Sequence, residues 1–310
     1  MTRGNDSVLM PAAVESIGVT SRNRPIFLVG CHRSGTTLLR YLLDAHPSFA
    51  CPPESKFVAA LEATLRYPQA LQGLASLGID HQAYVRRLGN LVDGVLTDYA
   101  RNRGKPRWID KTPNYFRLLP FIDTMFQGTA QYLLAVRHPL DTVASLAQVR
   151  AFGQAHPDDP EVAAAKSQYG HGREAWCHYW RQVTSALITF AMSCPDRCLF
   201  VRYEDVVRRT DHALRVVLDL LGESLPAGLV AEAFAHDHTA GYEDASARAS
   251  RSIYSSSVGR WRSSTEKEVT SAWSIVADVA EPLGYDVVDM AARPSPPSHA
   301  SLQSVGEGAA

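Results

Sequence analysis

The chain has 310 residues, 45% hydrophobic and 20% charged, which suits an ordinary globular protein built as one large α/β domain or two small ones. A net charge of −1 supplies no global field for nucleic acid or an anionic membrane, so an anionic ligand must be held by a local cluster. The five cysteines (Cys31, Cys51, Cys177, Cys194, Cys198) are odd in number, scattered and without zinc spacing, and they read as free thiols in a reducing compartment.

Residues 1–22 lack the apolar core of a signal peptide, and no window approaches about 18 uninterrupted apolar residues, so the expectation is a flexible leader over 1–23, no membrane span and a cytoplasmic setting. Ile26 to Val29 form an apolar run fit for one buried parallel strand. Gly30 to Thr37 make a Gly-bounded turn, after which Leu38, Leu39, Leu42 and Leu43 recur at helical spacing. Strand, Gly-rich turn and helix aim backbone N–H groups and a helix N-terminus at an anion. Arg33 adds a permanent charge and Ser34, Thr36 and Thr37 add hydroxyls, so Cys31, His32, Arg33, Ser34, Gly35, Thr36 and Thr37 read as a phosphate cradle. Gly30-x4-Gly35 matches the first half of a Walker A loop, yet Thr36 stands where the P-loop lysine belongs. Without that lysine the turn is poorly suited to a β/γ-phosphate pair with Mg²⁺.

The first helix is predicted from about Thr36 to Ala45, stopping at His46-Pro47. Phe49 to Cys51 is a candidate second strand that leads into Pro52-Pro53-Glu54-Ser55-Lys56, where two prolines help aim Glu54. By residue type alone, Glu54 beside Lys56 suits a surface ion pair. Residues 57–104 read as amphipathic helix, with Leu61, Leu65, Leu71, Leu74, Leu88, Leu91, Val92 and Val95 on its apolar faces. Trp108-Ile109-Asp110-Lys111-Thr112-Pro113 brings Lys111 to the mouth of a helix through Asn114 to Phe121, either as a second anion contact or as a solvated lysine.

Ala130 to Val136 is the next strand, and Arg137-His138-Pro139-Leu140-Asp141 turns into a helix that carries Ser145. An arginine at a strand end and a serine about two turns into the next helix can converge on one phosphate. Residues 151–170 are predicted as a mobile lid, and 172–192 as a helix whose Trp176, Tyr179, Trp180 and Val183 read as core before substrate cradle. Cys198 to Val207 is a third buried strand meeting a turn, and 210–222 an amphipathic helix through Ala213, Val216, Val217 and Leu220, stopped by Gly222. Residues 236–258 read as loop, His236 and His238 having no third ligand at metal spacing. Glu266 to Ala280 is the last helix, followed by a tail over 291–310 whose composition predicts disorder.

Taken together, these motifs resemble the sulfotransferases that use 3′-phosphoadenosine-5′-phosphosulfate (PAPS). Arg33-Ser34-Gly35-Thr36-Thr37 is similar to their 5′-phosphosulfate loop, and Arg137 with Ser145 to their 3′-phosphate motif. Arg33, Asp44-Ala45-His46-Pro47 and Glu54 stand in the order found in the protein-tyrosine sulfotransferase branch, whose glutamate is the base. The resemblance implies Glu54 as general base, Arg33 and Lys111 as cations on the bridging oxygen, and Tyr203 near the adenine. Val258-Gly259-Arg260-Trp261-Arg262 resembles the C-terminal cofactor loop without its usual Lys- or Arg-led start, which makes Ser257 and Arg260 candidates there. The implied fold is a single α/β domain over 24–290, a P-loop-like parallel sheet flanked by helices with helical insertions on the acceptor side. The implied reaction carries a sulfuryl group from PAPS to the hydroxyl of a small molecule such as a phenol, a sugar or a natural product, with no metal and no nucleic-acid partner. A P-loop kinase or NTPase would instead need a lysine after Gly35, and a nucleotide-binding module without catalysis would have no use for Glu54 or Lys111. Oligomeric state is not legible.

Overall fold

The structure, a computed structural model, describes residues 24–148, 160–170, 172–235 and 252–287. The expected leader, the tail, the His236–His238 loop and the first half of the expected lid lie outside the described residues. The described residues fall into two compact units, the first within Met1–Arg137 and Gln182–Ser255, the second within His138–Arg181 and Ser256–Ala310.

The first unit is an α/β layer structure built on one parallel sheet. Strands β1 (Ile26–Gly30), β2 (Phe49–Ala50), β3 (Arg107–Lys111), β4 (Gln131–Val136) and β5 (Cys198–Arg202) lie in the order β2-β3-β1-β4-β5. Every pairing is parallel, so every carboxyl end leaves the sheet at the same edge. β1, β3 and β4 are buried throughout; β1 and β4 read as nearly continuous apolar runs, whereas β3 carries Arg107, Asp110 and Lys111 into the buried layer. Ile26 and Leu28 pack into an aliphatic core with Leu42, Ile109, Leu133 and Val217. The residue between them, Phe27, points the other way into an aromatic group, 5.6 Å from both Trp108 and Phe126.

Helix α1 (Thr36–Asp44) follows the first turn. The stretch expected as amphipathic helix is broken into α2 (Phe57–Ala63), a 3₁₀ turn, α3 (Pro68–Ser76) and α4 (His81–Asn102). Pro68 can only sit in a first turn, and Asp80 caps α4 by accepting from the Ala83 N–H at 2.7 Å. On α4 the buried stripe is Val85, Leu88, Val92 and Leu96, whereas Leu91 and Val95 are each 50% exposed, so the expected apolar face is narrower than the sequence suggested. The helix expected over Asn114 to Phe121 is a 3₁₀ turn, Pro113–Arg117, followed by α5 (Leu119–Met125). Pro120 has no N–H to continue a helix and so starts one. Tyr203–Arg208 (α9), Thr210–Leu221 (α10) and Leu229–Ala235 (α11) complete this unit, with Val216 of α10 exposed and Gly222 in the left-handed cap.

The second unit contains α6 (Pro139–Gln148), α7 (Pro160–Tyr169), the start of α8 (Arg173–Ser193) and α12 (Glu266–Ala280). The second half of the expected lid is therefore helix, favoured by the Ala163-Ala164-Ala165 run. Trp176, Tyr179, Trp180 and Val183 are buried. A capping box between Thr265 and Glu268 opens α12. Its Val269 joins Leu140 and Trp261 in a small core. His138 stacks 5.2 Å from Trp261, accepts from the Leu140 N–H and donates Nε2–H to the Asp286 carbonyl at 2.9 Å. Both ring nitrogens are thus occupied, and the histidine is structural.

Gly30 pairs with Ala135 so closely that an added Cβ would lie 2.5 Å from the Ala135 carbonyl oxygen. Backbone cannot yield as a flexible side chain can. Gly30→Ala is expected to cost about 1–3 kcal/mol, read as a Tm lowered by several degrees in thermal denaturation. An unchanged Tm would show that β1 and β4 separate freely.

Candidate active site

The first unit gathers its polar residues at the carboxyl edge of the sheet. Open α/β sheets hold ligands outside these strand ends. The turn after β1 closes through a hydrogen bond from the Ser34 N–H to the Cys31 carbonyl. Arg33 and Gly35 both have left-handed backbone, φ 69° and 83°. At Gly35 a Cβ would stand 2.3 Å from the Tyr203 ring, so glycine is required for space as well as conformation. The first turn of α1 holds no acidic residue. Cys31, His32, Ser34, Thr36 and Thr37 are buried. The Ser34 hydroxyl has no hydrogen-bond partner among the described residues, an orphan that a phosphate or sulfate oxygen would satisfy.

Register sets the next contacts. Val136 pairs with Arg202, so Arg137 and Tyr203 follow their strands side by side. Arg137 lies 4.5 Å over the Tyr203 ring and donates Nη1–H to the Arg33 carbonyl at 3.0 Å. One guanidinium thereby ties the ends of β4 and β5 to the turn after β1.

On the other side of β1, Leu28 pairs with Lys111. The Lys111 side chain is fully buried, and its Nζ lies 3.1 Å from Oε1 of Glu54, itself 6% exposed. Neither a solvated lysine nor a surface carboxylate describes this pair. Lys56 Nζ is 3.8 Å from the other oxygen, Oε2, which has no hydrogen-bond partner among the described residues. The Asp44-Ala45-His46-Pro47 stretch anchors the approach to Glu54. Asp44 accepts from the Cys51 N–H at 2.7 Å, while His46 accepts from the Ser48 N–H and bonds the Ser224 carbonyl.

A buried cluster lies beneath the ion pair. Asp110 accepts from the Ser55 hydroxyl at 2.9 Å and the Thr112 hydroxyl at 2.8 Å, one on each carboxylate oxygen. Tyr115 lies 3.4 Å from Ser55 and accepts from the Val58 N–H. Burial pushes the Asp110 carboxyl up to about 6, against the hydrogen bonds from Thr112 and Ser55. Burial likewise holds the Tyr115 phenol well above its ordinary value. Sequence reading passed over Asp110, although a lone acidic residue inside the buried run from Trp108 to Lys111 was a signal that it has buried partners.

Ser145, Ser257 and Arg260 belong to the second unit. Ser145 is buried on α6, Ser257 is half-buried and Arg260 is exposed. Asp141 of α6 accepts from the N–H groups of Gly259 (2.6 Å) and Trp261 (3.1 Å), which fixes the turn bearing Arg260 to the helix bearing Ser145. Gly259 and Arg260 line an open cavity of about 510 Å³ with Ala144, Arg173 and Ser264. The role of Asp141, too, was missed from sequence.

A parallel sheet in this strand order, with a phosphate-type turn after β1 and a buried Lys–Glu pair beside it, defines a P-loop-like α/β fold. The sulfotransferase family model matches residues 25–227, and the chain belongs to that family. It is 29% identical over 276 residues to the nodulation protein NoeE of Sinorhizobium fredii, covering 84% of this chain and 65% of that protein. It is 25% identical over 199 residues to protein-tyrosine sulfotransferase 1 of Danio rerio, covering 63% of this chain and 52% of that protein. The chain thus spans less than two thirds of the length of these relatives. Among solved structures, the sulfotransferase domain from the curacin biosynthetic pathway superposes with a TM-score of 0.61 at 19% identity, covering 85% of this chain and 98% of that one. The sulfotransferase domain of the Synechococcus PCC 7002 olefin synthase gives 0.54 at 22% identity, covering 86% and 97%. Both show the fold.

The raised Asp110 has a consequence for stability. Its carboxyl titrates near 6 folded against 3.8 ordinarily, so between those values the folded state binds more protons and stability falls as pH rises. Asp110→Asn cannot ionise. The stability of the wild type relative to this variant is expected to be greatest below about pH 4 and least above about pH 6. Urea denaturation of both across that range tests it, and parallel curves would contradict it.

Proposed function

We propose that the protein transfers a sulfuryl group from PAPS to the hydroxyl of a small-molecule acceptor, such as a phenol, a sugar or a natural product. The observation that carries this reading is the buried Lys111–Glu54 pair at 3.1 Å, beside a turn whose Ser34 hydroxyl lacks a partner. PAPS supplies the activated sulfuryl group and leaves as adenosine 3′,5′-bisphosphate. In this reading Cys31 to Thr37 hold the 5′-phosphosulfate, Arg137 the 3′-phosphate and Tyr203 the adenine side. Arginine suits the 3′-phosphate because its planar fork makes two parallel bonds.

Glu54 takes the acceptor proton. Its Oε1 is committed to Lys111, while Oε2 is open to accept a hydrogen bond. As Glu54 becomes neutral, the Lys111 ammonium loses its counter-charge and turns to the oxygen on which negative charge grows. Arg33 supports the same charge. These cations do the work that Mg²⁺ does in kinases, so the reading needs no metal. A P-loop kinase is disfavoured by Thr36 at the lysine position. A peptide tyrosine is the second acceptor reading, favoured by the 199-residue match to the Danio rerio enzyme. The free thiols Cys31, Cys51, Cys177, Cys194 and Cys198 fit a cytoplasmic setting.

Glu54→Gln is expected to bind adenosine 3′,5′-bisphosphate within about three-fold of the wild type while turnover with a competent acceptor falls about 10²–10⁴-fold. Release of the bisphosphate from PAPS across a panel of phenols, sugars and a tyrosine peptide measures it. A wild-type rate in the variant would remove Glu54 as the base.

A further inference from the structure

The geometry points to Asp110 as a positioning residue that, through Ser55, holds Glu54 on Lys111, an assignment that rests on the base role proposed for Glu54. Glu54 stands on an irregular segment between the end of β2 at Ala50 and the start of α2 at Phe57. No regular hydrogen-bond ladder orients it, so its direction depends on side-chain ties. One tie lies upstream, where the Cys51 N–H bonds Asp44. The ties next to Glu54 form two rungs. Lys111 holds Glu54 at 3.1 Å, and the preceding residue of β3, Asp110, holds the following residue of the segment, Ser55, at 2.9 Å. Two neighbours on a buried strand thus grip two neighbours on a loop, and a second rung fixes the rotation that one alone would leave.

The second rung matters because Glu54 has two cations within reach. Lys56 stands 3.8 Å from Oε2, on the same segment as Glu54 and with 35% of its side chain exposed. A carboxylate swung to Lys56 would face solvent and leave the fully buried Lys111 without its counter-charge. Asp110 is itself held on both oxygens. It is fully buried, and its second oxygen is taken by Thr112. Tyr115 closes the cluster by accepting from the Val58 N–H at the start of α2. The Asp110 carboxylate reaches no part of the turn at 31–37 through any of these bonds, so it acts on Glu54 and not on donor binding.

Four variants test this: Ser55→Ala, whose site is half-buried and tolerates the loss of one hydroxyl, Asp110→Ala, Asp110→Asn, and Ser55→Ala combined with Glu54→Gln. Crystals of Ser55→Ala with adenosine 3′,5′-bisphosphate are expected to show Glu54 moved from Lys111 to beyond about 4 Å, with affinity for the bisphosphate by calorimetry within about three-fold of the wild type. With 4-nitrophenol as the acceptor probe, Ser55→Ala and Asp110→Ala are expected to lower kcat about ten-fold or more without raising KM for PAPS. Asp110→Asn, which keeps an accepting oxygen, retains most of the rate. Ser55→Ala adds nothing to the loss already caused by Glu54→Gln. An unmoved Glu54 in the Ser55→Ala crystals, or losses that multiply in the double variant, would overturn the assignment. A wild type that fails to bind the bisphosphate at all would sink the sulfotransferase reading itself, a result separable from either.

Discussion

A lysine with no exposed surface must have its charge met inside the protein, and Lys111 has Glu54 at 3.1 Å. Removing one partner of such a buried pair strands the other and typically costs about 3–5 kcal/mol. The pair therefore dictates the shape of what surrounds it. The segment 51–56 must be brought to the end of β3 and held there. Asp44 does this from the end of α1 and Asp110 from beneath, so residues far apart in sequence serve one contact. A stable fold has no need of an ion pair here, since apolar residues of like volume would fill the position at no loss. In the proposed reaction the pair serves the proton and the negative charge that the transfer must place.

The all-parallel sheet is what makes the site possible. Four strand ends supply one element each: the turn from β1, Lys111 from β3, Arg137 from β4 and Tyr203 from β5. Register then brings them together, since Leu28 faces Lys111, Gly30 faces Ala135 and Val136 faces Arg202. The glycines enforce the tight spacing. Gly30 lets β1 close on β4, and Gly35 lets the turn close on Tyr203. A helix N-terminus, the N–H groups of the turn and Arg137 then meet at one edge of the sheet, a setting suited to anions.

Much of this was legible in the sequence because buried parallel strands leave an unmixed apolar signature. The strands at Ile26 and Gln131 and the last helix at Glu266–Ala280 were readable to within a residue or so, whereas the strand starting at Cys198 is only half-buried and gives way to helix at Tyr203. What failed was facing. Leu91, Val95 and Val216 are apolar but exposed, because which stripe of a helix is buried depends on what packs against it and not on hydropathy alone. The residues of the 31–37 turn and Glu54, Lys111 and Arg137 could be singled out as candidates because they stand in local motifs. Asp110, Ser55 and Asp141 were missed because their roles exist only in tertiary contact. An acid followed by a lysine reads as surface charge until the strand that carries both proves to be buried.

In the proposed function the turn after β1 and Arg137 bind a 3′-phosphorylated adenosine donor. Calorimetric titration with adenosine 3′,5′-bisphosphate and with ATP, each without Mg²⁺, on wild type and Arg137→Ala addresses it most directly. The wild type is expected to bind the bisphosphate, Arg137→Ala to bind it at least about ten-fold more weakly, and ATP to show little affinity. A preference for ATP, or binding that appears only when Mg²⁺ is added, would contradict the proposed function.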